Sequence, residues 1–189
     1  FNSGTLNPTL WEIRQDTEGQ PLMEEYDVRN EGDNFVFHTQ QNTPIDRRVY
    51  LFPKRTFTTG DIVKYETNLS SRSGTYAQMV LLTGDQHYRL GMQGTDAGFD
   101  ELGLSHMRLE FTPNSLLVQR TTPSGNTLFD NLPLNKTNGT YEMYIGSFTG
   151  QDGISHLDFD NFAMGLVPSP STTALLGIGL ATITRKRRM

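Results

Sequence analysis

The chain has 189 residues, 35% of them apolar and 20% charged, which is enough for one domain with a sizeable core and too little charge for a disordered polyelectrolyte. A mean hydropathy of −0.49 excludes a membrane bundle. Sixteen basic against twenty-one acidic residues, net −5, is the wrong sign for a partner built on nucleic acid phosphates, and zero cysteines remove disulfides, thiolate zinc sites, iron–sulfur clusters and cysteine nucleophiles together.

From Phe1 onward the sequence is punctuated by Gly and Pro, with short apolar runs between them and no sustained helical period. If the protein is exported, its signal peptide has been removed ahead of Phe1. Strands are expected at 34–39, 48–52, 61–69, 76–82, 88–93, 107–111, 116–121, 127–132, 141–145 and 156–164. Period two is plain in three of them. Val63, Tyr65, Thr67 and Leu69 alternate with Lys64, Glu66 and Asn68; Met107, Leu109 and Phe111 alternate with Arg108 and Glu110; Tyr141, Met143 and Ile145 repeat the arrangement. Turn chemistry at Gly60-Asp61, Ser73-Gly74, Gly84-Asp85, Pro113-Asn114, Gly125-Asn126 and Asn138-Gly139 supports the cuts. So many strands exceed one flat sheet, and an all-β, antiparallel two-sheet sandwich follows.

In the last predicted strand, Leu157 and Phe159 share a face, but the next large apolar residues, Phe162 and Met164, fall one place out of phase. Either a β-bulge at Asp160 and Asn161 resets the phase or the strand is buried on both faces. Beyond it, no acid follows Asp160, and residues 171–184 are uncharged and largely apolar. As a helix this stretch rises only about 21 Å at ~1.5 Å per residue, short of a hydrocarbon core of about 30 Å. Arg185, Lys186, Arg187 and Arg188 then close the chain; without them, twelve basic against twenty-one acidic residues leave a body of −9.

The order Val167, Pro168, Ser169, Pro170, short apolar helix and basic terminus resembles the PEP-CTERM sorting signal of bacterial surface and matrix proteins, with Ser169 where the usual motif has glutamate. The resemblance implies export, transient membrane retention with the basic stop on the cytoplasmic side, and cleavage near the prolines by an exosortase-type enzyme. The alternative is an amphipathic or disordered tail ending in a solvated charge run. The opening Phe1 to Trp11 and the closing run His156 to Phe162 look like the first and last strands of concanavalin A-like lectin/glucanase jelly rolls. That resemblance implies a jelly roll over 1–166, terminal strands close together and a ligand on a sheet face; 167–189 forms the sorting signal.

Glucanases of that superfamily carry Glu-x-Asp-x-x-Glu on one strand, so that alternate acids enter one cleft. Here the nearest match is Asp158-Phe159-Asp160, two carboxylates about 6.6 Å apart at ~3.3 Å per residue, with Ala163 in the third acid's place. Asp158 and Asp160 are candidates for a structural calcium ion together with N-terminal carbonyls, or else are solvated acids capping backbone amides. The acidic run 95–101 lacks the pattern of an EF-hand, and His38, His87, His106 and His156 are too scattered for a metal motif. Sugar recognition needs aromatic platforms among planar polar groups; Trp11, Tyr76, His87, Tyr88, Arg89 and Gln93 are available, with Trp11 expected to pack rather than bind. The expectation is an exported, non-catalytic surface or extracellular-matrix protein with polysaccharide as partner. The alternatives are a divergent polysaccharide hydrolase or lyase of the same fold, or a purely structural surface protein.

Overall fold

The computed structural model describes residues 7–14, 22–31, 34–74, 76–82, 87–90, 101–135, 139–151 and 153–166. The sorting motif Val167–Pro170, the apolar run 171–184 and the basic stop Arg185–Arg188 lie outside the described residues, as do Gln93 and most of the acidic run. No helix occurs among the described residues.

Thirteen strands are described: β1 (Trp11–Arg14), β2 (Glu25–Glu31), β3 (Asn34–Gln41), β4 (Arg47–Pro53), β5 (Thr56–Phe57), β6 (Asp61–Ser73), β7 (Tyr76–Leu82), β8 (His87–Leu90), β9 (Gly103–Phe111), β10 (Ser115–Thr121), β11 (Thr127–Pro133), β12 (Tyr141–Thr149) and β13 (Ile154–Leu166). They form two antiparallel sheets, one in the order β1-β4-β12-β7-β8 with β5 also on β12, the other β11-β10-β9-β6-β13-β3-β2. The arrangement is a jelly-roll-like sandwich: two antiparallel layers, as the alternating pattern predicts, in the form the resemblance implies. β2 was not expected, because Glu25-Tyr26-Asp27-Val28 on a sheet edge buries too little to show an apolar run.

Between the sheets, Val49, Leu51, Val80, Leu82, Met143 and Ile145 of one layer meet Val63, Tyr65, Leu69, Leu109, Val118, Leu157 and Phe159 of the other. Each such side chain contributes roughly 1.5–3 kcal/mol on leaving water. Arg120 also points inward at 1% exposure, donating from Nη2 to Ser105 Oγ at 2.9 Å. Burial raises the Tyr65 hydroxyl above the usual phenol range, against a smaller opposing effect of the Arg120 charge.

The phase slip in the last strand is a bulge. Asp160 pairs with Glu66 and Ala163 with Lys64, so Asn161 and Phe162 together oppose Tyr65. Asn161 takes φ +53°, a left-handed conformation that Asn tolerates better than most residues. The extra residue turns Phe162 back inward, where it stacks on Tyr65 (5.5 Å) and meets Trp11 (5.2 Å). The terminal strands therefore lie in different sheets but touch across the core.

Candidate functional site

Alternation on the seven-stranded sheet sends a polar set outward, and its register lines that set up across the strands. One row runs Ala163, Lys64, Arg108, Gln119, Phe129; a second runs Asp160, Glu66, His106, Thr121; a third runs His38, Asp158, Asn68, Leu104. Three cavities lie over these rows. The central one, about 310 Å³, is bordered by Lys64, Glu66, His106, Arg108, Gln119 and Asn161. A second, about 330 Å³, is bordered by Phe129, Leu117 and Asn131 and shares Arg108 and Gln119 with the first. The third, about 160 Å³, is bordered by Asp158, Asp160, Asn68 and Leu104 and shares Glu66 with the central one. Together they make one trough.

At one end Phe129 stands on the edge strand β11 with 75% of its surface exposed, among the planar side chains of Arg108, Gln119 and Asn131. In the centre, Glu66 is held on both oxygens: His106 Nδ1 lies 3.0 Å from Oε1, and Asn161 Nδ2 donates to Oε2 at 2.6 Å. The bulge that presents Asn161 also lets its amide donate to Asp160 Oδ1 at 2.6 Å. Arg108 pairs with Glu110 at 2.6 Å. At the far end His38 Nδ1 donates to Asp158 Oδ1 at 2.6 Å, and His38 Nε2 is buried with no hydrogen-bond partner among the described residues.

Asp158 and Asp160 do face the same way and border the same cavity. The N-terminal carbonyls expected to complete a calcium site with them lie outside the described residues. A hard cation asks for six to eight oxygens; among the described residues Asp158 Oδ1 meets an imidazole and Asp160 Oδ1 a backbone amide, and no group of three or more His, Asp or Glu suited to a metal occurs there. Ala163 faces outward beside Lys64, so the third position of the glucanase motif has no carboxylate. Glu66 and Asp160 are directly opposed across β6 and β13, a pairing invisible in sequence because 94 residues separate them.

Trp11 is 9% exposed and belongs to the core, as expected. Tyr76 and His87, Tyr88 and Arg89 fall on β7 and β8, in the other sheet, and their side chains are outside the described set. Phe129, Lys64, Glu66, Arg108 and Gln119 were not singled out in sequence. Their one local signal is that each sits on the polar phase of an alternating strand.

The outward face of the six-stranded sheet is a closed second cluster. Tyr50, Phe52, Tyr144 and Phe148 are all at most 8% exposed. Phe52 and Tyr144 stack at 4.7 Å, the Arg14 guanidinium lies 4.0 Å from the centre of the Phe52 ring, and Arg48 lies 5.0 Å from that of Phe148. Arg14 donates to Glu12 at 2.8 Å, which raises its own pKa and lowers that of the carboxylate. With their faces already covered, these rings give a ligand no platform.

Solved structures share the sandwich. A glycosyl hydrolase family protein from Mycobacterium fortuitum superposes with a TM-score of 0.55 at 11% identity, over 86% of this chain and 94% of that one. A Bacteroides ovatus GH16 protein of a mixed linkage glucan system, in complex with its G4G4G3G product, gives 0.54 at 8% identity, over 86% and 98%. A β-1,3-glucanase from Mycobacterium marinum gives 0.53 at 11% identity, over 86% and 93%. At such identities what is shared is the fold. No protein-family model matches the sequence, and no curated protein is similar to it.

Proposed function

We propose that this chain is an exported, non-catalytic carbohydrate-binding protein of a bacterial surface or extracellular matrix, which holds glycan on the outward face of its seven-stranded sheet. The observation that carries this reading is Phe129, an aromatic ring left 75% exposed on a sheet face and flanked by the planar groups of Arg108, Gln119 and Asn131. Sugars present an apolar C–H face for stacking and an equatorial belt of hydroxyls for planar hydrogen-bonding groups, so a bare ring beside amides and a guanidinium suits them. The glucan-related names of proteins with the same fold point the same way. Export, exosortase-type processing and transient membrane retention rest on the order Pro168-Ser169-Pro170, apolar run and basic terminus.

A degradative enzyme is the second reading, favoured by the opposed carboxylates of Glu66 and Asp160. Against it, both oxygens of Glu66 are fastened to His106 and Asn161, which suits orientation of a binding surface better than proton transfer. The test is an array of polysaccharides (mixed-linkage β-glucan, β-1,3-glucan, xylan, mannan and alginate) probed with the whole chain. Wild type is expected to be retained by at least one polymer, and Phe129→Ala to weaken that binding about tenfold, since a lost stacking contact is worth roughly 0.5–1.5 kcal/mol beyond its buried area. Retention by no polymer rejects the carbohydrate reading; release of reducing sugar replaces it with the enzyme.

A further inference from the structure

Resting on the carbohydrate reading, we propose that the trough takes the interior of an unbranched, uncharged polysaccharide chain, laid across the strands from Phe129 on β11 to Asp158 on β13, and not a single sugar or a chain end. Length is the first ground. The three cavities share lining residues and step from the first row to the third on the way from β11 to β13, four strand spacings in the sheet order. At ~4.8 Å per spacing this is roughly 19 Å, several sugar rings long. Shape is the second. At the Phe129 end the trough reaches the outermost strand of the sheet order, with Phe129 itself 75% exposed, an end that suits a chain continuing past the ring.

Charge is the third ground. Glu66, Asp158 and Asp160 border the β13 end, while of the two cations in the central cavity Arg108 is already paired with Glu110. A polymer with a carboxylate or sulfate on each ring meets like charge along half its path. Hydroxyl groups, by contrast, accept from Lys64, Gln119 and Asn68 and donate to the carboxylate lone pairs left beside the bonds to His38, His106 and Asn161.

The experiment measures affinity of the whole chain for sized oligosaccharides, from a single ring to the hexasaccharide, cut from the polymer retained on the array, with alginate as the charged comparison. Affinity is expected to climb with length until the trough is spanned, and to be unchanged when the reducing end of the hexasaccharide is blocked. Asn68→Ala, an exposed position at the far end, is expected to weaken the hexasaccharide severalfold and leave the disaccharide unaffected, while Phe129→Ala weakens both. A single ring bound as tightly as the hexasaccharide, loss of binding on blocking the end, an Asn68→Ala effect at every length or none, or retention by alginate overturns this inference while leaving carbohydrate binding intact. Failure of every polymer on the array overturns the underlying reading instead.

Discussion

Gly146 shows how much a single missing side chain arranges. It sits opposite Tyr50 in the β4–β12 pairing, and a Cβ built on it collides with the Val49 carbonyl oxygen and meets the Tyr50 ring at 2.8 Å. The bare glycine lets the Tyr50 ring lie down on the sheet, where it meets Tyr144 edge-on at 6.4 Å. Because the nearest obstacle is backbone, rotating a neighbour gives no relief. Gly146→Ala is therefore expected to destabilise the fold by about 3 kcal/mol or more, at the upper end of overpacking effects, and Tyr50→Ala in the same chain is not expected to restore it. Urea unfolding midpoints check this, and an unchanged midpoint in Gly146→Ala would refute the close approach. At the same scale Phe129 and Phe159 look alike in sequence, yet one is 75% exposed and the other fully buried. Both occupy alternating strands, and only the neighbours supplied by other strands separate them.

At the scale of the element, β13 ties core to site through one extra residue. Without the bulge, Phe159 and Phe162 would point to opposite faces; with it, both enter the core, and Asn161 is turned toward Glu66. The left-handed conformation at Asn161 is the structural requirement. Asn161→Gly, which adopts that conformation freely, is expected to melt close to wild type, whereas Asn161→Val, with a branched Cβ, should lose about 1–3 kcal/mol. Equal melting temperatures for the two variants would count against the bulge. β2 illustrates the opposite case, an edge strand whose partners, not its own pattern, make it a strand: Tyr26 pairs with Thr39 and Val28 with Phe37.

For the molecule as a whole, charge divides by position into an acidic body of −9 and a basic terminus of four residues, Arg185 to Arg188. In a host bearing an exosortase-type enzyme, the released protein is expected to end near Pro168–Pro170 when its mass is measured; an intact Met189 on the released form refutes processing. The sandwich itself was legible. Alternation at 61–69, 107–111 and 141–145 assigns inward and outward faces, and the slip between Phe159 and Phe162 narrows β13 to a bulge or a two-sided strand, because side-chain direction along a strand depends only on local backbone geometry; the β6 register decides for the bulge. Neither strand order nor register is local, since each is fixed by which apolar faces pair across long stretches of chain. Tertiary pairing alone set Glu66 opposite Asp160, joined Lys64, Arg108, Gln119 and Phe129 into one row, and left Phe129 bare at a sheet edge. The sequence by itself determined the two-layer architecture and the polar phase of each strand, while the trough exists only because separate strands lay those phases side by side.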